Sequence, residues 1–328
     1  MSGEAPSPRA LLREAQRRLA AAGIEDARLE AELLLAAAIG VPRLEFQLQP
    51  ERPLERAQVD AFQAALRRRL GREPLQYIAG VVHFRELVLR VDPRVLIPRP
   101  ETEVLVGAVL AWARQRLDAA TRRRGGSAVA RGGPAASWRR PREAGRADTA
   151  TSGPGLTALD IGTGSGAIAL SLLKEGAFRH VVATDVSGAA LAVAEENARR
   201  VGVRDRLELR RGPLWDPVAK NERFDVVVSN PPYVAERERD ELAAEVRDWE
   251  PAVALFAAEE GRAVLHGLVA GAAQHLAGRG LLALEVGLGQ ATDVAALLRQ
   301  SGYPDVRVVQ DLAGRDRIVL AEARASAA

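Results

Sequence analysis

The sequence predicts an α/β protein: a doubly wound sheet with one antiparallel strand near its edge, preceded by a small all-helical domain. Two patterns carry that expectation. From residue 156 onward, short apolar runs rich in valine, isoleucine and leucine alternate with helical runs, the signature of strand–helix–strand units. The last two such runs, 306–309 and 317–320, are too close for an intervening helix, so they pair antiparallel. Residues 9–72 show helical periodicity alone and form a bundle of their own.

Composition bounds the chain before any motif is read. It has 328 residues, 47% hydrophobic, 27% charged and 4% aromatic, enough for one large domain and a smaller one. It contains no cysteine, which excludes disulfides, thiolate metal sites and a cysteine nucleophile, and no metal site is expected. No stretch approaches the roughly 20 apolar residues of a membrane span, and residues 1–9 lack a signal peptide's apolar core, so the expectation is no membrane and a cytoplasmic location. The net charge is +3, with arginines clustered between Arg122 and Arg146. That basicity is local, and direct binding of nucleic acid is not expected.

In chain order, Leu11, Leu12, Ala15 and Leu19 recur at helical spacing, as do Leu29, Leu33, Leu34 and Ala37, and then Phe62, Leu66 and Leu70. Gly23, Gly40 and Gly71 punctuate them. Residues 1–80 therefore read as a helical N-terminal domain, which either holds a macromolecular substrate or caps the larger domain. Residues 81–98 read as a hairpin linker, with alternating character over 84–91, and 99–328 as the main domain. Pro98 and Pro100 extend the chain into Glu101-Thr102-Glu103, where Thr102 suits the N-cap of a helix over 104–116. Residues 118–155 are rich in Arg, Gly, Ala, Ser and Pro without apolar periodicity, a composition expected of a disordered insertion. It reads as a solvated linker, with contact to RNA as the alternative.

The core opens with a strand at 156–161, the turn Gly162-Thr163-Gly164-Ser165-Gly166, and a helix over 167–174. Strand, glycine-rich turn and helix form a nucleotide-binding arrangement, because the glycines admit a ligand close to the backbone and the helix start offers unpaired N–H groups. The spacing Gly-x-Gly-x-Gly after Asp160 differs from the pattern of dinucleotide binders and favours a ligand without a pyrophosphate. A second strand, 180–185, ends in Asp185, whose carboxylate suits the two hydroxyls of a ribose. A helix over 191–200 and a strand over 206–210 follow, and Trp215 stands on the next loop, where an indole can pack against an adenine. Beyond these, helices are expected over 264–276 and 291–301 on either side of a strand over 280–287.

The strand over 224–228 runs into Ser229-Asn230-Pro231-Pro232-Tyr233. The two prolines stop the strand, so Asn230 is presented at its carboxyl end, where open α/β sheets bind ligands. The Asn230 side chain and the Pro231 carbonyl offer two acceptors for the two N–H groups of one planar NH2, and Tyr233 can cover it with its ring. An ordinary Asn-Pro turn is the alternative reading of the same residues.

With these motifs in place, the chain resembles the release factor glutamine methyltransferases, the PrmC/HemK family of class I S-adenosylmethionine-dependent methyltransferases. The resemblance rests on Arg72-Glu73-Pro74-Leu75-Gln76-Tyr77-Ile78, Ile97-Pro98-Arg99-Pro100-Glu101-Thr102-Glu103, Asp160 to Gly166, Asp185, Asn230 to Tyr233, Glu250-Pro251 and Glu285-Val286-Gly287. It implies a seven-stranded sheet of the class I type and methylation of the side-chain amide nitrogen (N5) of the glutamine in the Gly-Gly-Gln motif of peptide chain release factors. By position, Gly162, Thr163, Gly164, Ser165, Gly166, Asp185, Trp215 and Asn230 would contact S-adenosylmethionine. Asn230, Pro231, Pro232 and Tyr233 would hold the glutamine, with Asn230, Pro231 and Tyr233 taking the catalytic part. Two features depart from the family pattern: the length of the 118–155 insertion, and the lack of an acid just before Trp215. The alternative activity, from the shared Asn-Pro-Pro-Tyr, is a nucleic-acid adenine N6-methyltransferase, which calls for a basic groove that the sequence does not supply.

Overall fold

A computed structural model describes residues 7–128 and 155–325. The chain forms two compact units. One holds the described residues up to Val82 together with Arg90–Ile97 and Glu238–Ala252, and the other holds His83–Leu89 and the remaining described residues.

The first unit is built from α1 (Pro8–Ala21), α2 (Ala27–Ile39), α3 (Arg43–Leu48), α4 (Arg56–Leu70) and α5 (Leu75–Ala79). Ser7 caps α1 by accepting from the Ala10 N–H at 3.4 Å. Its core joins Leu11, Ala15 and Leu19 to Leu34, Leu35, Phe62 and Leu66. On α2 the buried stripe differs from the expected one: Ala31, Leu34 and Leu35 are inside, whereas Leu29 is 40% exposed and Ala37 faces solvent. A Leu-Leu-Leu-Ala-Ala-Ala run fits more than one helical stripe, and tertiary contacts decide between them. Here Glu32 points inward, with its carboxylate taking Arg28 at 3.2 Å, Arg43 at 2.6 Å and Gln47 at 3.0 Å. The short helices α3 and α5 carry too few turns to show periodicity.

A buried arginine ties a distant segment into this unit. Arg69 is 5% exposed, grips both Glu30 oxygens at 2.5 and 3.1 Å, and reaches Glu245 of α9 (Ala244–Arg247) at 3.1 Å. Arg72 meets the same Glu245 oxygen at 3.1 Å, and Glu250 accepts from the Ile97 N–H at 3.1 Å.

The strands β1 (Val81–Phe84) and β2 (Leu87–Arg90) form a two-stranded hairpin. Helix α6 then runs over Pro100–Ala128. It starts before the expected 104, so Thr102 lies inside its first turn with its hydroxyl donated to Glu285 and is not the N-cap, and it continues past the expected end at 116. Residues 117–124 include leucine, alanines and arginines and no proline, so nothing in them stops the helix. The expected disordered insertion is thus helical over 118–128, and its remainder, 129–154, lies outside the described residues.

The large sheet has seven strands, as expected. Its members are β3 (Leu156–Ile161), β4 (Phe178–Asp185), β5 (Leu207–Arg211), β6 (Phe224–Ser229), β7 (Leu276–Glu285), β8 (Asp305–Gln310) and β9 (Asp316–Glu322), in the order β5-β4-β3-β6-β7-β9-β8. Strands β5 to β7 in that order are parallel, and β9 runs against both β7 and β8. Helices α7 (Ala167–Glu175), α8 (Gly188–Val201), α12 (Ala263–His275) and α13 (Ala291–Gln300) complete the crossovers, with the short turns α10 (Ala252–Leu255) and α11 (Ala258–Gly261) between β6 and α12. On one face, Leu159, Val227, Leu282 and Val319 pack with Leu265, Leu268, Val294 and Leu298. The strand order reverses between β3 and β6, which lie side by side with Asp160 opposite Val228. That reversal leaves a crevice at the strands' carboxyl ends. Among the described residues no helix is long and apolar enough to cross a membrane.

Replacing Arg69 by alanine leaves Glu30 and Glu245 without their shared cation, and both acids are only about a fifth exposed. We expect a loss of about 3 kcal/mol in chemical denaturation. An unchanged midpoint would show that water takes over the arginine's part.

Candidate active site

Four strand tips deliver the site: β3 with its glycine turn, β4 with Asp185, β6 with Asn230, and β7 with Glu285. The turn after β3 needs glycine at three places, because Gly162, Gly164 and Gly166 have φ of 78°, 55° and 86°. A Cβ built on Gly162 or Gly164 meets nothing within 4 Å, so this stretch of backbone borders open space. The turn is pinned from β4, since the Gly162 and Thr163 N–H groups both donate to the Thr184 carbonyl at 2.8 and 2.9 Å. Ser165 is buried, and its carbonyl accepts from Asn197 at 2.9 Å.

Two acids flank the turn. Asp160 is wholly buried; its Oδ2 accepts from the Thr163 hydroxyl at 2.7 Å and from the Ala169 N–H at 3.2 Å, while its Oδ1 has no partner. Burial pushes its pKa up to about 7, against the lowering effect of those two bonds. Asp185 accepts from the Gly164 N–H on Oδ2 and from the Ser187 N–H on Oδ1, each at 2.9 Å, and burial raises its pKa as well. An ionised carboxylate has about four lone-pair sites, so acceptor capacity remains for a ligand.

On the other side of the crevice, Ser229 ties β6 to β3 by donating to the Ile161 carbonyl at 2.6 Å. The half-buried Asn230 donates from Nδ2 to Thr102 Oγ1 at 3.0 Å, and Thr102 donates to Glu285 Oε2 at 2.7 Å. Pro231 is buried and Pro232 half-buried. Glu285 is 0% exposed, with the Tyr233 hydroxyl 3.5 Å from Oε1 and Arg317 at 4.0 Å. Arg317 also donates to the Tyr233 hydroxyl at 2.8 Å and lies over its ring, 5.1 Å from the centroid.

The backbone of this loop is held just as firmly. Val234 donates to the Leu255 carbonyl and accepts from the Ala257 N–H, both at 3.0 Å. The Tyr233 carbonyl accepts from Gln290 Nε2 at 3.1 Å, and a Cβ on Gly261 would come within 2.1 Å of the same oxygen. Gly261 has φ of 79°, so only glycine meets both requirements.

The structure brings Gly162 to Gly166 together with Asp185, and Asn230 together with Tyr233 through Thr102 and Glu285. Trp215 takes a different set of contacts. Its indole N–H donates to the Gly267 carbonyl at 2.8 Å, its ring stacks on His275 at 5.0 Å, and a Cβ on Gly271 would strike it at 2.2 Å. These are packing contacts with α12. Sequence reasoning missed Arg317 and Gln290, which sit on separate elements with no local motif. It noted Thr102 only as a cap and Glu285 only within a matching tripeptide; an acid at a third strand tip was the available signal.

The comparisons with known proteins agree along the chain. Residues 10–80 match the PrmC N-terminal domain family, and residues 149–247 match the methyltransferase small domain family. The release factor glutamine methyltransferase of Cereibacter sphaeroides is 39% identical over 310 residues, covering 94% of this chain and 96% of that protein. That of Moorella thermoacetica is 40% identical over 317 residues, covering 96% and 98%. Among solved structures, a methyltransferase from Pyrococcus furiosus is similar at 22% identity and a TM-score of 0.41, covering 52% of this chain and 76% of that chain.

Asp160 generates a pH prediction. Between its ordinary 3.8 and about 7 the folded carboxyl keeps its proton while the unfolded one has lost it. The unfolded state then binds fewer protons, so stability falls as pH rises through that window. Thermal unfolding of the ligand-free protein is expected to show this decline, and Asp160→Asn to make it shallower, the remainder belonging to Glu285, whose carboxyl is raised in the same way; an equal slope in the variant would remove Asp160 as a source.

Proposed function

The chain belongs to the release factor glutamine methyltransferase family, and on that premise we propose that it methylates peptide chain release factors at the side-chain amide nitrogen (N5) of the glutamine in their Gly-Gly-Gln motif, using S-adenosylmethionine. The observation that carries this reading is the held amide of Asn230. Nδ2 donates to Thr102, which leaves Oδ1 as the end of the amide that would accept from a substrate. The carbonyl of the next residue, Pro231, would be the second acceptor. Two acceptors suit the two N–H groups of a planar NH2, such as a glutamine amide.

The residues present also fit the cofactor. The unpartnered, buried Oδ1 of Asp160 suits the ammonium of an amino acid, the open backbone at Gly162 and Gly164 leaves room for its chain, and Asp185 keeps acceptor sites for ribose hydroxyls. Gly162, Thr163, Gly164, Ser165, Gly166, Asp185 and Asn230 would hold it. Trp215 enters this proposal as the packing that fixes the loop after β5, because its N–H and one ring face are already engaged. When bound, S-adenosylmethionine supplies a sulfonium methyl, whose carbon–sulfur bond breaks as the new carbon–nitrogen bond forms.

The protein's part is positioning. An amide nitrogen is a poor nucleophile because its lone pair is shared with the carbonyl. Asn230 Oδ1 and the Pro231 carbonyl hold its two N–H groups and leave the remaining face toward the methyl. As the nitrogen gains positive charge both hydrogen bonds strengthen, which lowers the barrier without a base. The extra proton leaves to water after transfer. Tyr233, clamped by Arg317, covers the amide with its ring.

In domain terms, 1–80 serves as the substrate-docking domain, 81–98 as the hairpin linker and 99–328 as the methyltransferase domain. Docking is supported by Leu44 and Leu48 on α3, one helical turn apart and 64% and 73% exposed. Replacing both by serine is expected to raise the KM for an intact release factor and leave that for a short Gly-Gly-Gln peptide unchanged. Equal KM values for the intact factor would place docking elsewhere.

Incubation with labelled S-adenosylmethionine and a purified release factor, with the label mapped by mass spectrometry, tests the reaction. The label is expected on the glutamine of Gly-Gly-Gln; label on another residue overturns the assignment. Asn230→Ala is expected to cut single-turnover rates severely with cofactor affinity little changed. Asp185→Ala is expected to weaken cofactor binding about tenfold or more, since hydrogen bonds to a carboxylate contribute about 1.5–3 kcal/mol each. Calorimetry reads the second effect directly.

A further inference from the structure

The two ends of the Asn230 amide have nearly the same shape, so something outside the residue must decide which end faces the crevice. The hydrogen-bond chain behind it makes that decision. An ionised Glu285 has no proton to donate, so Thr102 must give its single hydroxyl proton to Oε2. Only lone pairs of Thr102 are then left toward Asn230, and Asn230 must present Nδ2 to them. We propose that Thr102 and Glu285 are positioning residues for methyl transfer, setting the orientation of Asn230, and that a proton gained by Glu285 reverses the chain.

Reversal follows from proton counting alone. A protonated Glu285 donates to Thr102 Oγ1, Thr102 turns its own proton toward Asn230, and Asn230 flips to offer Oδ1 inward. Its NH2 then faces the incoming amide NH2, donor against donor. No bond to carbon is made or broken in the switch. The inference rests on the reading above, in which Asn230 accepts from the glutamine amide.

The surroundings hold Glu285 near this balance. From α6 it faces Thr102 and the charge of Glu101, itself paired with Arg315 at 3.3 Å; from the loop after β6 it faces the Tyr233 hydroxyl; from β9 it faces Arg317 at 4.0 Å. Arg99 adds its field at Tyr233. Burial is the largest influence and Glu101 adds to it, while Thr102, Arg317 and Tyr233 oppose them; the carboxyl is pushed up to about 7. The active orientation therefore belongs to the higher pH side. The turnover number is expected to fall on acidification through about pH 7, although neither an amide nor a sulfonium titrates there.

Three variants separate the relay from mere packing. Thr102→Val keeps the shape and removes the hydroxyl; turnover is expected to drop about 10-fold to 100-fold with the KM for cofactor unchanged, and Thr102→Ser to restore most of it. Glu285→Gln is expected to mimic the protonated acid, because Tyr233 and Arg317 hold its oxygen and its NH2 then donates to Thr102. Its turnover should sit near the wild type's acidic level with no limb near pH 7. Wild-type turnover in Thr102→Val, or an unaltered acid limb in Glu285→Gln, overturns the relay. A readout free of activity keeps this distinct from the proposed function. In the protein without substrate, the side-chain ¹⁵N–H resonances of Asn230 are expected to shift with a midpoint near that pH, and to stop titrating in Glu285→Gln. Resonances that do not move between about pH 6 and about pH 8 overturn the relay, whatever the substrate proves to be.

Discussion

A carboxylate with no exposed surface, Glu285 at the tip of β7, is the constraint on which the arrangement of the crevice depends. An acid in that position must find partners, and the chain provides them from three elements: the hydroxyls of Thr102 on α6 and Tyr233 after β6, and the positive charge of Arg317 on β9. The same contacts that satisfy it also hold the groups of the Asn-Pro-Pro-Tyr loop. Thr102 reaches onward to Asn230, and Arg317 reaches onward to Tyr233. The placement of the Asn-Pro-Pro-Tyr loop is thus tied to polar satisfaction behind it.

The two sides of the crevice use different means to the same end. Around the glycine turn, backbone N–H groups of Gly162, Thr163 and Gly164 are spent on Thr184 and Asp185, so the turn is braced from β4. Around Asn230, side chains do the bracing, and Gly261 lets the chain after Tyr233 pack directly onto another backbone. Each half leaves a small number of acceptors uncommitted: Oδ1 of Asp160 on one side and Oδ1 of Asn230 on the other. That residue of unused capacity is what a ligand can recognise, and it is rich in acceptors, which suits ammonium, hydroxyl and amide N–H groups.

Within the helical unit, buried charge does comparable work in a different setting. Glu32 lies buried beside the inward stripe of α2 and is paired with Arg43, and Arg69 bonds Glu245 from a segment far along the chain. Such ion pairs add little net stability when compared with apolar residues, yet they discriminate strongly between arrangements, because a lone buried charge is costly.

The sequence by itself determined the class of fold, the strand tips and the groups that stand on them. Alternating apolar runs, prolines after Asn230 and glycines after Asp160 act over a few residues, and their consequences are therefore visible locally. It also determined the family, since the matching residues are spread along the chain. Tertiary structure alone decided that the Asn230 amide meets Thr102, that Thr102 lies inside the first turn of α6 with its hydroxyl on Glu285 instead of capping the helix, that Arg317 and Gln290 bond Tyr233, and that Trp215 packs on α12 and His275. These depend on residues far apart in the chain meeting at one place, where burial removes water as an alternative partner and makes each remaining hydrogen bond obligatory.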